Sequence, residues 1–173
     1  RMTGYADESW FVKEHRDTDM PALPEPGVRY RLAGVKLYVD GALGSRGAAL
    51  LAPYADRPDH SGILMHAPGE LEAVVLAAVR HGWQVAAHAI GDRGIRVLLD
   101  ACAAARTAVP AADPRLRVEH AQIVDLADIP RFASLGAVAS MQPTHATSDM
   151  AWVPARLGEE RLAGAYAWRR FLA

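Results

Sequence analysis

Gln84-Val85-Ala86-Ala87-His88-Ala89-Ile90-Gly91-Asp92-Arg93-Gly94 is the stretch from which the rest of the chain is read. Val85 to Ala89 has the length and apolar character of a strand buried on both faces. Gly91 permits a tight turn, and Asp92 is placed to cap a helix beginning near Arg93. His88 then stands near the carboxyl end of a strand, where parallel α/β folds keep their chemistry. Arg117-Val118-Glu119-His120-Ala121-Gln122 repeats the arrangement, and Val35-Lys36-Leu37-Tyr38-Val39-Asp40-Gly41 repeats it with lysine. These three strand ends are read as converging on a metal ion.

Outward from that stretch, the chain alternates. Residues 28–40 read as a strand with Val35, Leu37 and Val39 on one face and Lys36, Tyr38 and Asp40 on the other. Gly41 to Pro68 is a long connection rich in Gly, Pro, Asp and Ser, a kind that is usually functional in a compact domain. Glu70 to His81 carries Leu71, Val74, Val75, Ala78 and Val79 at helical spacing and stops at Gly82. A helix from about Arg93 to Thr107 follows the central strand. Leu116 to Ala121 is the next strand, Asp125 to Leu135 a helix stopped by Gly136, Ala137 to Gln142 a strand, and Glu159 to Leu172 a helix. Strand–helix repetition of this kind builds a parallel sheet with right-handed crossovers.

Four such units make half of an eight-fold barrel, which takes about 250 residues when whole. An open doubly wound sheet is the competing fold, but no glycine-rich phosphate loop follows any strand. The fold expected is therefore α/β, a partial TIM-like (β/α)8 barrel over residues 1–173. Residues 1–30 form an irregular polar lead-in, broken by Pro21, Pro24, Pro26 and Gly27, and residues 31–173 hold four βα units.

The chain has 173 residues, 51% hydrophobic and 23% charged, with a formal net charge of −1. That balance gives no reason to expect nucleic acid or an anionic membrane as partner. No apolar run approaches the about 20 residues that span a bilayer. The single cysteine, Cys102, lies in an alanine-rich helical segment, reads as a buried inert thiol, and suits a reducing, cytoplasmic setting. The chain opens on Arg1 and closes at Phe171-Leu172-Ala173 in mid-pattern, so it is expected to be an internal piece of a longer protein.

His88 and His120 each end an otherwise apolar strand. Neutral imidazole is the commonest protein ligand for zinc and related ions. Alone, each would read as a core histidine satisfied by hydrogen bonds; together they favour a metal. A lysine inside an apolar strand is costly unless paired or neutralised. Three fates are open for Lys36: a Schiff-base nucleophile, an ion pair with an acid such as Asp40, or a carbamate formed with carbon dioxide.

Four stretches, Val35 to Arg46, His88 to Arg93, Val118 to Gln122, and Ser140-Met141-Gln142-Pro143-Thr144-His145, resemble the YtcJ-like branch of the metal-dependent amidohydrolases, amidohydrolase family 3. The resemblance runs in order from about Gly34 to the last residue. It implies a distorted eight-fold barrel of which this chain holds about strands four to seven. It implies that Lys36 is a carboxylated bridging ligand and that His88 and His120 are metal ligands. The family's His-x-His pair and its strand-eight aspartate, the ligand and general base, are absent here. No residue of this chain is thus assigned the catalytic acid–base role. Asp149 reads instead as a cap or loop residue.

The function implied is metal-dependent hydrolysis of a non-peptide carbon–nitrogen bond, such as an amide or N-substituted formamide, by metal-activated water. One or two divalent ions, zinc first, would be the cofactor. Asp40, Arg46 and His145 are candidate contacts for a small-molecule substrate. Glu119 should point away from His120 by strand alternation, and His60, His66 and His81 read as solvent-exposed. A homodimer is allowed as the assembly, and this chain alone is expected to be inactive. Two other readings stay open: a Schiff-base lyase or aldolase using Lys36, and a non-catalytic barrel piece whose histidines are core groups.

Overall fold

A computed structural model describes residues 2–20 and 29–173; the proline-broken loop expected around 21–27 lies outside them. Five parallel strands form one sheet: β1 (Met2–Asp7), β2 (Tyr30–Tyr38), β3 (Gln84–Ala89), β4 (Arg117–His120) and β5 (Val138–Ser140). Their spatial order is β1-β2-β3-β4-β5. The helices are α1 (Glu8–Trp10), α2 (Glu70–Arg80), α3 (Asp92–Ala108), α4 (Ile129–Leu135), α5 (Pro143–Asp149), α6 (Val153–Leu157) and α7 (Trp168–Phe171). None is long and apolar enough to cross a membrane.

Side-chain alternation sorts the sheet into two faces. Val35, Leu37, Val39, Val85, Ala87, Ala89 and Val118 are buried in one cluster with Leu71, Val74, Val75 and Ala78 of α2, Ile95, Leu98, Leu99 and Cys102 of α3, and Phe132 of α4. Each large aliphatic buried there contributes about 1.5–3 kcal/mol. The other face carries Lys36, Tyr38, His88, Arg117, Glu119 and Ser140, paired across the strands as Tyr38↔His88, His88↔Glu119 and Glu119↔Ser140. Sequential strand order with helices packed on one face is the winding of a (β/α)8 barrel. A doubly wound sheet would reverse its order at a switch point. The chain is an open arc of such a barrel.

The reading of residues 1–30 as irregular is corrected by β1. Met2-Thr3-Gly4-Tyr5-Ala6-Asp7 has no apolar alternation of its own; it becomes a strand by pairing with β2 from Met2↔Tyr30 to Asp7↔Lys36. Tyr5 Oη adds a 2.9 Å hydrogen bond to Gln84 Oε1, two strands away. The single helix expected over Glu159–Leu172 is also corrected. Glu159–Gly164 is a 3-10 segment, Ala165 is extended, Tyr166 has φ 49°, and α7 starts only at Trp168. The backbone there is used elsewhere: Val124 N–H donates to Gly164 O at 2.9 Å and Tyr166 N–H to Gln122 O at 2.8 Å.

The 41–68 connection is packed rather than loose. Leu43, Ala48, Leu50 and Tyr54 join Ile90, Ile123, Val153 and Leu157 in a second small core, built on the turns after β3 and β4 and on α6. α3 is entered through Gly91, and Asp92 Oδ1 accepts from Arg93 N–H at 2.9 Å and Leu51 N–H at 2.8 Å. Asp92 is therefore the first residue of the helix and not its expected cap, a position Gly91 takes without a side-chain bond, and the Asp92 carboxylate ties the long connection to the helix start.

Candidate metal centre at the strand ends

Tyr38 and His88 are register partners on β2 and β3, which puts Lys36 and His88 on the same face, one layer apart. By alternation His120 should leave that face, because Glu119 is the residue paired with His88. It does not. His120 adopts φ 78° and Ala121 φ 42°, left-handed conformations that non-glycine residues rarely take. This break in the pleat swings the imidazole back, so that the His88 and His120 rings lie 4.7 Å apart between centroids at 70°. Glu119 keeps the same face, contrary to its expected separation from His120. Its carboxylate is held by Arg117 Nε at 2.8 Å, and Arg117 also donates to Ser140 Oγ at 2.8 Å. Backbone strain of this kind concentrates where function needs it.

Both histidines are half-buried and neutral. Burial pushes His88 down to about 4, with His120 and Lys36 adding to the depression. Burial likewise lowers His120, with His145 and Lys36 contributing against a hydrogen bond to Gln142. Lys36 is itself depressed by burial, with Glu119 and Glu8 opposing. Its Nζ donates to Leu37 O at 2.9 Å and lies 3.9 Å from the Tyr38 ring centroid.

Each imidazole has one nitrogen occupied by an oxygen acceptor. His120 Nδ1 lies 2.8 Å from Gln142 Oε1, and Gln142 Nε2 donates to Ser140 O at 3.1 Å, which fixes the amide orientation. Nδ1 therefore carries the proton and Nε2 the lone pair. His88 Nε2 faces Gly41 O at 3.5 Å and Asp40 Oδ1 at 3.6 Å, which leaves Nδ1 as the donor atom. Two neutral imidazoles, each oriented through its other nitrogen, are the donor chemistry a divalent metal uses. Among the described residues no three His, Cys, Asp or Glu side chains gather into a ligand set; the two imidazoles stand with Lys36 on one face. Gln142 is a site residue that sequence reasoning does not find: it stands beside Pro143, and nothing in its local pattern shows that it reaches back to His120.

Of the three candidate substrate contacts, the strand ends bring in one. His145, in the first turn of α5, stacks on His120 with centroids 5.4 Å apart and planes within 11°. Asp40 is instead 1% exposed, with Oδ1 accepting from Ile90 N–H at 3.0 Å and Oδ2 from Gly91 N–H at 2.8 Å and Ala49 N–H at 2.9 Å. Its carboxylate is thus occupied by the backbone and makes no pair with Lys36. Arg46 is committed to Asp56 through Nε at 3.0 Å and Nη2 at 2.9 Å, and Asp56 also pairs with Arg156. Asp149 ends α5 rather than capping its start; its Oδ2 accepts from Gln122 Nε2 at 2.8 Å and Tyr166 Oη at 2.6 Å. His66, expected in solvent, has a 7% exposed side chain and bonds Glu8 at 2.6 Å.

Comparison with known proteins bears on the family and the fold. Residues 4–173 match the profile of the Amidohydrolase family. Protein LONG AFTER FAR-RED 3 of Arabidopsis thaliana is 40% identical over 130 residues, covering 75% of this chain and 22% of that protein. YtcJ of Bacillus subtilis (strain 168), provisionally named an amidohydrolase, is 34% identical over 147 residues, covering 85% of this chain and 27% of its own length. Two crystal structures of uncharacterized metal-dependent hydrolases superpose on 97% of the chain. The one from Pyrococcus furiosus has TM-score 0.81 and 36% identity over 34% of its length. The one from Pyrococcus horikoshii OT3 has TM-score 0.80 and 34% identity over 32% of its length. The chain thus spans about a quarter of the curated relatives and a third of the solved structures. With its strand order, strand-end histidines and family match in agreement, the chain belongs to the amidohydrolase family.

Proposed function

We propose that the whole protein is a metal-dependent hydrolase of non-peptide carbon–nitrogen bonds, such as amides or N-substituted formamides. Lys36, His88 and His120 hold part of its metal shell. The observation that carries this reading is the pair of neutral imidazoles 4.7 Å apart on the face that also bears Lys36. A divalent metal, when bound, lowers the pKa of its water toward neutrality and polarises a carbonyl. Histidine with carboxylate-type oxygen at an open site suits zinc.

The residues of this chain divide the remaining work. His88 presents Nδ1 and His120 presents Nε2, each with the opposite nitrogen tied to an oxygen. Burial favours the neutral amine of Lys36, which is the form that adds to carbon dioxide. The nitrogen–carbon bond forms, a proton leaves to solvent, and an anionic carbamate oxygen replaces a costly buried cation. His145, stacked on His120, is the substrate contact. Among the described residues no aspartate takes an acid–base place at this site, which supports the reading that residues 1–173 are inactive by themselves.

Metal analysis of the whole protein, with Lys36→Ala, His88→Ala and His120→Ala beside it, tests the reading. Bound metal in the parent and its loss in the three variants is the expected result; unchanged content in all three would remove the centre. Borohydride trapping of a carbonyl compound on Lys36, without metal dependence, would favour the Schiff-base alternative instead.

A further inference from the structure

Asp40 has an unusual setting for a residue on the loop side of a strand end. Its carboxylate is almost fully enclosed, at 1% exposure, yet among the described residues no lysine or arginine neutralises it. Three backbone N–H groups from two segments do so: Ala49 from the long connection, and Ile90 and Gly91 from the turn immediately after His88. A Cβ on Gly94 would stand 2.6 Å from Oδ2 and 2.9 Å from the carboxyl carbon, so the first turn of α3 also closes on it. The carboxylate has little freedom to move. Its Oδ1 lies 3.6 Å from His88 Nε2, and the next carbonyl, Gly41 O, lies 3.5 Å from the same nitrogen. Both neighbours are acceptors, and an imidazole nitrogen facing only acceptors must be the one that bears hydrogen.

We infer that Asp40 is the positioning residue of the strand-end site: its pinned carboxylate holds His88 as the Nε2–H tautomer and turns Nδ1 toward the His120 side. Its burial separates this role from that of a substrate contact, because a carboxylate closed off by three N–H groups and α3 has no face left for a ligand. The connection also explains why β2 and β3 must end in register. Val39 N–H donates to His88 O at 2.9 Å, so the residue before Asp40 fixes the His88 backbone while Asp40 fixes its ring. The consequence for metal uptake rests on the function proposed above; the tautomer does not.

The test uses the whole protein with labelled histidine. Long-range 1H–15N correlation spectra are recorded without metal at pH 7.5, and the His88 signal is assigned by its loss in His88→Gln. The parent should show His88 as Nε2–H. Asp40→Asn puts an amide donor where one acceptor stood, and should shift His88 toward Nδ1–H or a mixture. Asp92→Asn is the control. Asp92 is a second buried acid that binds backbone N–H groups at the same helix start, and its variant should leave the His88 tautomer as in the parent.

Zinc alone, titrated into the metal-free protein, should bind Asp40→Asn ~10–100-fold more weakly than the parent, the usual cost of losing a group that orients a ligand. Should Asp40→Asn not fold, Gly94→Ala, which displaces the same carboxylate, should shift the tautomer in the same direction. A parent in the Nδ1–H form overturns the inference. So does a folded Asp40→Asn, or failing that Gly94→Ala, with an unchanged His88, or an equal shift in Asp92→Asn. If the parent takes up no zinc, the metal-centre reading fails while the tautomer comparison still decides the role of Asp40.

Discussion

Gly91→Ala is the most direct test of how rigidly the strand end is built. Gly91 has φ −82° and ψ 152°, a conformation open to any residue, so backbone strain does not explain the glycine. Space does. A Cβ there would stand 2.6 Å from the Ala49 carbonyl carbon, 2.8 Å from Ala49 N, and closer still to its oxygen. The obstacle is backbone, which cannot rotate away as a side-chain tip would. The same Ala49 oxygen accepts from Arg93 N–H at 3.0 Å and Gly94 N–H at 3.2 Å, the orphan donors that open α3. Making room for the methyl costs about 1–3 kcal/mol for overpacking and strains two hydrogen bonds of about 1 kcal/mol each. The total is about 3–5 kcal/mol, a large share of the about 5–15 kcal/mol that holds a typical domain together. Gly69→Ala is the matched control. Its φ of +81° makes alanine awkward, but nothing lies within 4 Å of a Cβ, so only the left-handed backbone cost of about 1–2 kcal/mol applies. Urea unfolding of the whole protein measures both, with equal slopes required for the midpoints to report stability. If Gly91→Ala lost no more stability than Gly69→Ala, the close approach of the 49 carbonyl would not be rigid and the steric argument would be refuted.

Two further outcomes follow from burial. The Glu8 hydrogen bond raises His66 above its ordinary value near 6.5 against the opposing effect of burial. The stability His66 contributes is therefore complete below about that pH and is lost as pH rises through its higher folded value; unfolding free energies of the parent minus His66→Gln should shrink with rising pH, and growth instead would overturn the pairing. Cys102 is fully enclosed, and burial pushes its thiol up; an aromatic disulfide reagent should label it only after unfolding, and labelling of the native protein within minutes would contradict its place in the core.

Much of the fold was legible because its signals are local. The α2 stripe Leu71, Val74, Val75, Ala78, Val79 announces itself by period, the α3 entry by the turn at Gly91, and the apolar strand ending in His88 by contrast. β1 was not legible, since Met2–Asp7 is a strand only through the hydrogen bonds β2 offers it. Nor was the break at 164–166, where backbone groups leave the helix to bond residues 122–124. α5 and α6 carry proline near their starts and too few turns for a stripe to show.

The candidate site divides along the same line. Composition and order along the chain determined that Lys36, His88 and His120 stand at the ends of successive parallel strands, because strand length and alternation are written in neighbouring residues. Only the tertiary structure decided that the two imidazoles meet. A pleated strand would send Glu119 and His120 to opposite faces; the left-handed backbone at His120 and Ala121 overrides that rule. The packing around Gln142 and Asp40 then gives each ring an oxygen partner drawn from a distant part of the chain, which no local pattern can announce.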